Sequence, residues 1–396
     1  MPHEHPNDPV APRIRFDRNE FAGSFGDIGT DLPLIILMIV ALGLDSASVF
    51  IMFGLMQILT GISYRLPMPM QPLKAMALIV ITASAGDERL TPSTLYAAGF
   101  AIGAVMLVLS LSGSLSALAR WIPHCVVRGI QFGLGLKLAS LALTTHVTSM
   151  AAEGYALAAV CFIIAIALWG NRRWPAALWI IGIGAGYALI TGIVQPGVIM
   201  DGVGVRAPQW QPISWSDIPA GFLLLALPQL PLSLSNSVIA TRQTIVDLFP
   251  ERHINVRRIG LTYAVANLLN PFFGGIPVCH GSGGLAGHHT FGARTGGSVV
   301  IYGTMFVLLG ALFSGAIEHV VQVFPRPVLG VVLLCEALVL MRFIQDVASS
   351  RRDLTIALLV GLIALTLPQG FVIGIVIGTA IHYAADRFHW KMAEHP

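Results

Sequence analysis

Lys74 stands inside an otherwise apolar stretch, directly after Pro67-Met68-Pro69-Met70-Gln71-Pro72-Leu73. In the opposite half of the chain, Ile276-Pro277-Val278-Cys279-His280-Gly281-Ser282-Gly283-Gly284 interrupts another such stretch. A charged side chain at the centre of a bilayer costs about 2.5–3.5 kcal/mol on insertion scales, so one retained there is a functional candidate by default. Pro72 suits the first turn of a half-helix, which sets the Lys74 ammonium near that helix's positive end. The second break offers the Ser282 hydroxyl and the backbone N–H groups left unshielded at Gly281, Gly283 and Gly284, a cradle for oxyanion oxygens. Two helix N-termini of roughly +0.5 charge each, with one lysine, supply on the order of +2, enough to balance a dianion without a metal. Plainer readings stand beside this one. Lys74 snorkels to an interface or pairs with a carboxylate, the glycines serve close helix packing, and His280 is a hydrogen-bonded core histidine.

Gln71, Pro72, Cys279 and His280 lie within the breaks and join the candidate lining. So does Thr30, in Gly26-Asp27-Ile28-Gly29-Thr30-Asp31-Leu32-Pro33, a stretch too polar for a plain lipid-facing helix. Gln229, Ser233 and Asn236 belong to its counterpart, Pro228-Gln229-Leu230-Pro231-Leu232-Ser233-Leu234-Ser235-Asn236-Ser237, which has hydrogen-bonding groups and no charge. Asp27 and Asp31 are four residues apart, so a helix places both on one face. A carboxylate near an anion is repulsive until protonated, which makes Asp27, Asp31 or Glu336 the candidate proton-coupling group. The alternative is a structural salt bridge to Lys74, Arg128 or Lys137. His288-His289 sits near a cytoplasmic end with no third ligand at useful spacing and reads as surface, so neither a metal nor any other cofactor is expected.

The elements that must hold these residues follow from composition. With 55% hydrophobic and 11% charged residues and a mean hydropathy of +0.76, the chain reads as an all-α polytopic membrane protein. Runs of about 20 apolar residues predict fourteen segments. Seven lie at 23–43, 48–66, 67–85, 91–113, 117–143, 155–170 and 174–192, and seven at 218–246, 256–274, 276–294, 296–314, 320–342, 354–369 and 371–387. Segments 3 and 10 are the interrupted ones, each expected to pair an extended stretch with a half-helix, since broken backbone needs polar partners inside the protein. Ile122-Pro123-His124-Cys125-Val126 returns as Phe324-Pro325-Arg326-Pro327-Val328, 202 positions later, and Pro69 and Pro277 are 208 apart. Seven being odd, the second copy enters from the opposite side, giving two inverted repeats.

The predicted division is a cytoplasmic tail at 1–20, the first repeat at 21–192, an extracytoplasmic linker at 193–217, the second repeat at 218–390 and a short tail at 391–396, with no appended soluble domain. The N-terminal tail lacks the apolar core of a cleaved signal peptide. Seventeen of the 23 Lys and Arg fall at ends this map makes cytoplasmic, against three outside, a strong positive-inside bias that sets both termini in the cytoplasm of an inner or plasma membrane. The four cysteines show no CxxC pairing and read as free thiols.

Five ordered motifs carry a resemblance. Phe25-Gly26-Asp27-Ile28-Gly29-Thr30, Pro69-Met70-Gln71-Pro72-Leu73-Lys74-Ala75, Pro228-Gln229-Leu230-Pro231-Leu232, Asn236-Ser237-Val238-Ile239-Ala240 and Pro277-Val278-Cys279-His280-Gly281-Ser282-Gly283-Gly284-Leu285-Ala286-Gly287, the last followed by Phe291-Gly292-Ala293-Arg294, together resemble the molybdate transporter family related to sulfate permeases. The resemblance spans residues 21–390. It implies a core domain of segments 1–4 and 8–11 holding substrate between half-helices 3 and 10. It also implies a gate domain of segments 5–7 and 12–14, an elevator-like cycle and a homodimer formed through the gate.

The leading reading is a secondary transporter importing a tetrahedral oxyanion, molybdate first and sulfate second, with proton or cation coupling, in contact with membrane lipid and with no nucleic-acid partner. A passive anion channel of the same fold is the alternative. No nucleophile with an ordered base points to an enzyme, and no GxxxxGK[ST] signature points to an ATP-driven pump. A nucleobase carrier would need carboxylates where this chain has Lys74 and a glycine cradle.

Overall fold

The computed structural model describes residues 13–83, 90–115, 117, 121–168, 176–192, 197, 202–323, 325–367 and 370–387. The tail at 391–396, most of the tail at 1–20 and part of the linker at 193–217 lie outside the described residues. Within them the chain is helical almost throughout. A short α1 (Arg18–Gly23) leads into α2 (Ile28–Leu42) and α3 (Ser46–Tyr64). Strand β1 (Met70–Pro72) then runs directly into α4 (Lys74–Ala83), followed by α5 (Pro92–Ser112), α6 (His124–Leu141), α7 (Ala151–Ala167) and α8 (Ala176–Ile190). The second half opens with α9 (Ile218–Gly221), α10 (Leu227–Leu232) and α11 (Thr241–Leu248), joined by π-helical turns at Phe222–Ala226 and Ser233–Ala240. It continues through α12 (Val256–Leu269), strand β2 (Val278–His280) and α13 (Ser282–Thr290). The last elements are α14 (Gly297–Val323), α15 (Arg326–Arg342), α16 (Arg351–Thr366) and α17 (Gly370–Arg387).

Among the described residues, five helical stretches are long and apolar enough to cross a membrane, including Ser46–Tyr64, Pro92–Ser112 and Gly297–Ala316. The predicted segment at 218–246 differs from a plain helix. Pro228 and Pro231 interrupt its hydrogen-bond ladder, and the wide turns beside them relieve that disruption. Both predicted breaks, by contrast, appear as an extended stretch followed by a short helix. The two strands pair antiparallel with Met70 opposite His280, Gln71 opposite Cys279 and Pro72 opposite Val278. Leu73 N extends the pairing with a bond to Pro277 O (3.0 Å). Two isolated three-residue strands satisfy each other's backbone at the centre of the protein, where water is not available to do it.

Helix packing repeats itself across the halves. Helix α3 lies along α14, and α5 lies along α12. The first contact rests on glycines: a Cβ added at Gly54 would press on Gly303 and Val307, and one at Gly61 on Gly296 and Val300. The strands lie against α2, α3, α12 and the π-helical turn at Ser233–Ala240. A second body forms where α6 packs on α15, α16 and α17, again through small residues, Gly129 and Gly133 meeting Ala357, Val360, Gly361 and Ala364. A satellite cluster of Ala158, Cys161, Ala165, Ile180, Val328, Val331 and Val332 ties α7 and α8 to α15. All four cysteines are free thiols.

Candidate functional site

Each strand is gripped by an amide side chain from the helix before it. Gln57 of α3 donates to Met70 O (2.6 Å) and accepts from Met70 N (2.8 Å). Asn267 of α12 donates to Val278 O (2.6 Å) and accepts from Val278 N (2.9 Å). Both side chains are buried, and each uses both ends of its amide, so the strand residue is satisfied on the side its partner strand does not cover. The positions are 210 apart (267 against 57), close to the offset between the breaks themselves. Neither residue stood out in the sequence. The signal was there only as an amide in an apolar helix shortly ahead of a Pro-rich break, and without the pairing in space it has no address.

The two clamps aim the helices that follow at a common centre. Lys74 is the first residue of α4, half-buried, and lies where its charge acts on Asp27. Gln229 Oε1 caps α4 by accepting from Ala75 N (2.8 Å) and Met76 N (3.3 Å). Its Nε2 donates to Ser233 Oγ (3.1 Å), which in turn meets Tyr263 OH (2.8 Å). Opposite, α13 makes its first helical bond from Leu285 N to Gly281 O (3.2 Å), so the amides of Ser282, Gly283 and Gly284 precede the ladder and point out of its N-terminus. Ser282 Oγ donates to Asn236 Oδ1 (3.1 Å).

The glycines divide into two kinds. A Cβ at Gly283 would meet nothing within 4 Å, whereas one at Gly281 would run into the Gln71 amide and one at Gly284 into Asp27, Pro69 and Gln71. Gly283 therefore opens the helix end, and its two neighbours let Gln71 and Asp27 lie against it. Gly287 meets Gly26 backbone to backbone in the next turn. Gln71 Nε2 donates to Asp27 Oδ2 (2.6 Å), which joins strand β1 to the start of α2. Asp27 and Asp31 are both buried, one turn apart at the start of α2, and Tyr302 of α14 donates to Asp31 Oδ2 (3.0 Å). Thr30 lies half-buried in the first turn of α2. Pro72 and Cys279 are both buried in the strand pair.

Two histidines of this region lie in the packed core. The His280 ring is fully buried, with Nε2 at 2.7 Å from Thr262 Oγ1 and its face against Tyr64 (ring centroids 5.4 Å apart), the geometry of a core histidine. His288 is buried, not on the surface as expected. It packs edge-on to Tyr302 and its Nδ1 is 3.2 Å from Ser298 Oγ, because α13 is enclosed by α1, α11 and α14. Glu336 lies on α15, its side chain outside the described residues.

A family profile described as "Molybdate transporter of MFS superfamily" matches residues 19–138 and 221–340. The chain is also 32% identical to Molybdate transporter 2 of Arabidopsis thaliana, over 91% of this chain and 86% of that one. It belongs to the molybdate transporter family. Molybdate transporter 1 of Chlamydomonas reinhardtii is a more distant relative at 27% identity, over 90% of each chain. Relatives and family are transporters, not enzymes. Among solved structures, the transmembrane domain of a cyanobacterium bicarbonate transporter, BicA, superposes with a TM-score of 0.65 at 13% identity, over 94% of this chain and 98% of that one. SLC26A9 gives 0.69 at 11% identity, over 95% and 66%. The fold is thus shared with these integral membrane proteins across near-absent sequence identity.

Proposed function

We propose that this family member is a secondary active transporter that imports molybdate, bound between the N-termini of α4 and α13. The observation that carries the reading is the convergence of two helix N-termini on one strand pair, with Lys74 opening one helix and Gly283 opening the other. The arrangement offers N–H groups, a hydroxyl at Ser282 and one ammonium to a compact anion, and it sits in a low-dielectric core where such charges act strongly. Thr30, Ser233 and Asn236 line the approach from α2 and from the π-helical turn.

Gln229 refines the reading. Its carbonyl already occupies two amides of α4, so the anion's contacts at that end fall to the Lys74 ammonium and the helix field, and its direct N–H contacts to α13. Sulfate has the same shape and charge and is the competing cargo. The names of the curated relatives favour molybdate.

The Asp27–Asp31 pair supports proton coupling. Two buried carboxyls one helical turn apart disfavour each other's ionisation, and protonation removes negative charge facing the anion. The repeated packing, the two clamps and a profile match that falls in two stretches, 19–138 and 221–340, support two inverted seven-segment repeats, with α6–α8 and α15–α17 as the gate against which the core moves.

Binding of molybdate, sulfate and uracil to the purified protein tests the site, with Lys74→Ala and Ser282→Ala measured alongside. Molybdate is expected to bind best, and Lys74→Ala to weaken it by at least tenfold. Uracil binding, or unchanged affinity in Lys74→Ala, removes the oxyanion site and leaves only the fold.

A further inference from the structure

The face of the second body near the ends of α6, α16 and α17 brings together three side chains from distant parts of the sequence. Cys125 lies in the first turn of α6, Asp353 in the first turn of α16 and His382 in the later turns of α17, a spread that no ligand-spacing pattern would flag. One potential ligand atom from each lies within 4.8 Å of the others. Cys125 Sγ is 3.5 Å from His382 Nδ1, and that same nitrogen is 3.7 Å from Asp353 Oδ1. A tetrahedral zinc ion with bonds of about 2.3 Å to sulfur and about 2.0 Å to nitrogen and oxygen sets S–N and N–O edges of about 3.6 and about 3.3 Å. Two edges of the triangle lie near those values.

The other ring nitrogen strengthens the case. His382 Nε2 is 3.5 Å from Asp386 Oδ2, the carboxylate-behind-histidine arrangement that fixes a ligating imidazole's tautomer and orientation. Asp386 is in turn held by Arg352 Nη1 at 2.5 Å, and Arg352 Nε lies 3.3 Å from Asp353 Oδ1. That guanidinium opposes a cation, so the charges must be weighed. Asp353 and Asp386 against Arg352 leave one negative charge, and a Cys125 thiolate makes it two, which a dication neutralises. Arg128 on α6 is engaged separately, by Asp346 and Gln131. Cys125 is buried while Asp353 and His382 are partly open, which leaves the cluster accessible to an ion from solvent.

We infer that Cys125, Asp353 and His382 form a site for a zinc-class divalent ion, with Asp386 orienting His382, that pins α16 and α17 to the start of α6. Binding releases the Cys125 thiol proton to solvent and leaves every oxidation state unchanged. The site lies apart from the strand pair, and its occupancy is independent of the anion reading.

The test is a cobalt(II) titration of the tag-free full-length protein in detergent, followed by displacement with zinc. The expected result is one ion per chain and a near-ultraviolet thiolate-to-cobalt band that zinc abolishes. Cys125→Ser is expected to lose the band. Asp386→Asn, which removes no ligand, is expected to keep the band and weaken affinity about 10- to 100-fold. Absence of a thiolate band in the wild-type protein overturns the site whether or not any variant folds. A band that survives in Cys125→Ser, or unchanged affinity in Asp386→Asn, overturns the assignment of ligands.

Discussion

Asn267 shows most clearly what one residue does here. It grips Val278 at N–H and carbonyl together, and its own side chain has no exposure. Replacement by Ala strands both groups of Val278 away from water, where each unsatisfied group costs about 1–3 kcal/mol. Asn267→Ala is therefore expected to destabilise the fold by about 3 kcal/mol, and Gln57→Ala to do the same through Met70. Thermal unfolding in detergent measures this. Unfolding midpoints that match the wild type in both variants would show that the strands hold themselves. Legibility at this scale was uneven. Lys74 and the glycines were visible because a charge and a run of unshielded backbone are anomalies in an apolar segment. The clamps were not, because Gln and Asn become informative only once their partners are known. His280 looked as chemical as Lys74 in sequence, yet it packs against Tyr64 and Thr262.

At the scale of elements, α13 is held from three sides. Glu20, buried in α1, accepts from Arg294 N (2.9 Å), Thr295 N (2.8 Å) and Ser298 N (3.0 Å), which caps α14 just after α13 ends. A carboxylate there answers the positive end of α14, and it ties the amino-terminal helix to the second half of the chain. Gly26 and Gly287 meet backbone to backbone between α2 and α13. Since backbone cannot rotate aside as a side chain can, Gly287→Ala must move α13 as a body. Overpacking of this kind costs about 1–3 kcal/mol. The expected outcome is molybdate affinity lowered at least tenfold in Gly287→Ala, with Gly182→Ala, whose Cβ meets nothing within 4 Å, unaffected. Equal affinities would show that α13 tolerates displacement and that its N-terminus does not set the site. The breaks announced these half-helices in the sequence. Their contact partners in α1 and α2 were hidden, since a contact between the first helices and the second half of the chain leaves no periodicity to read.

For the whole molecule, the question is whether the strand-pair body travels against the second body or stays fixed as a channel wall. Helix α4 packs on α6 across that boundary. A cysteine on each, crosslinked in a background without the four native thiols, is expected to abolish molybdate uptake in proteoliposomes while leaving binding intact, and reduction restores uptake. Uptake that continues in the crosslinked protein points to a fixed pathway. At the same scale, a coupled proton would have to cross the membrane with the cargo. Asp27 and Asp31 face Lys74, Gln71 and Tyr302, and protonation from outside removes a negative charge before the anion arrives. Lowering the external pH is therefore expected to raise the initial uptake rate, and an imposed inward proton gradient to drive molybdate above its equilibrium level. Asp31→Asn, neutral at every pH, is expected to bind molybdate but to lose the pH dependence and the accumulation together. If the wild-type protein accumulates molybdate at the same rate from external pH 5 to 8 (about three decades of proton concentration around the neutral range), the two carboxyls are structural, and Asp31 serves to hold α2 against α14 by accepting from Tyr302.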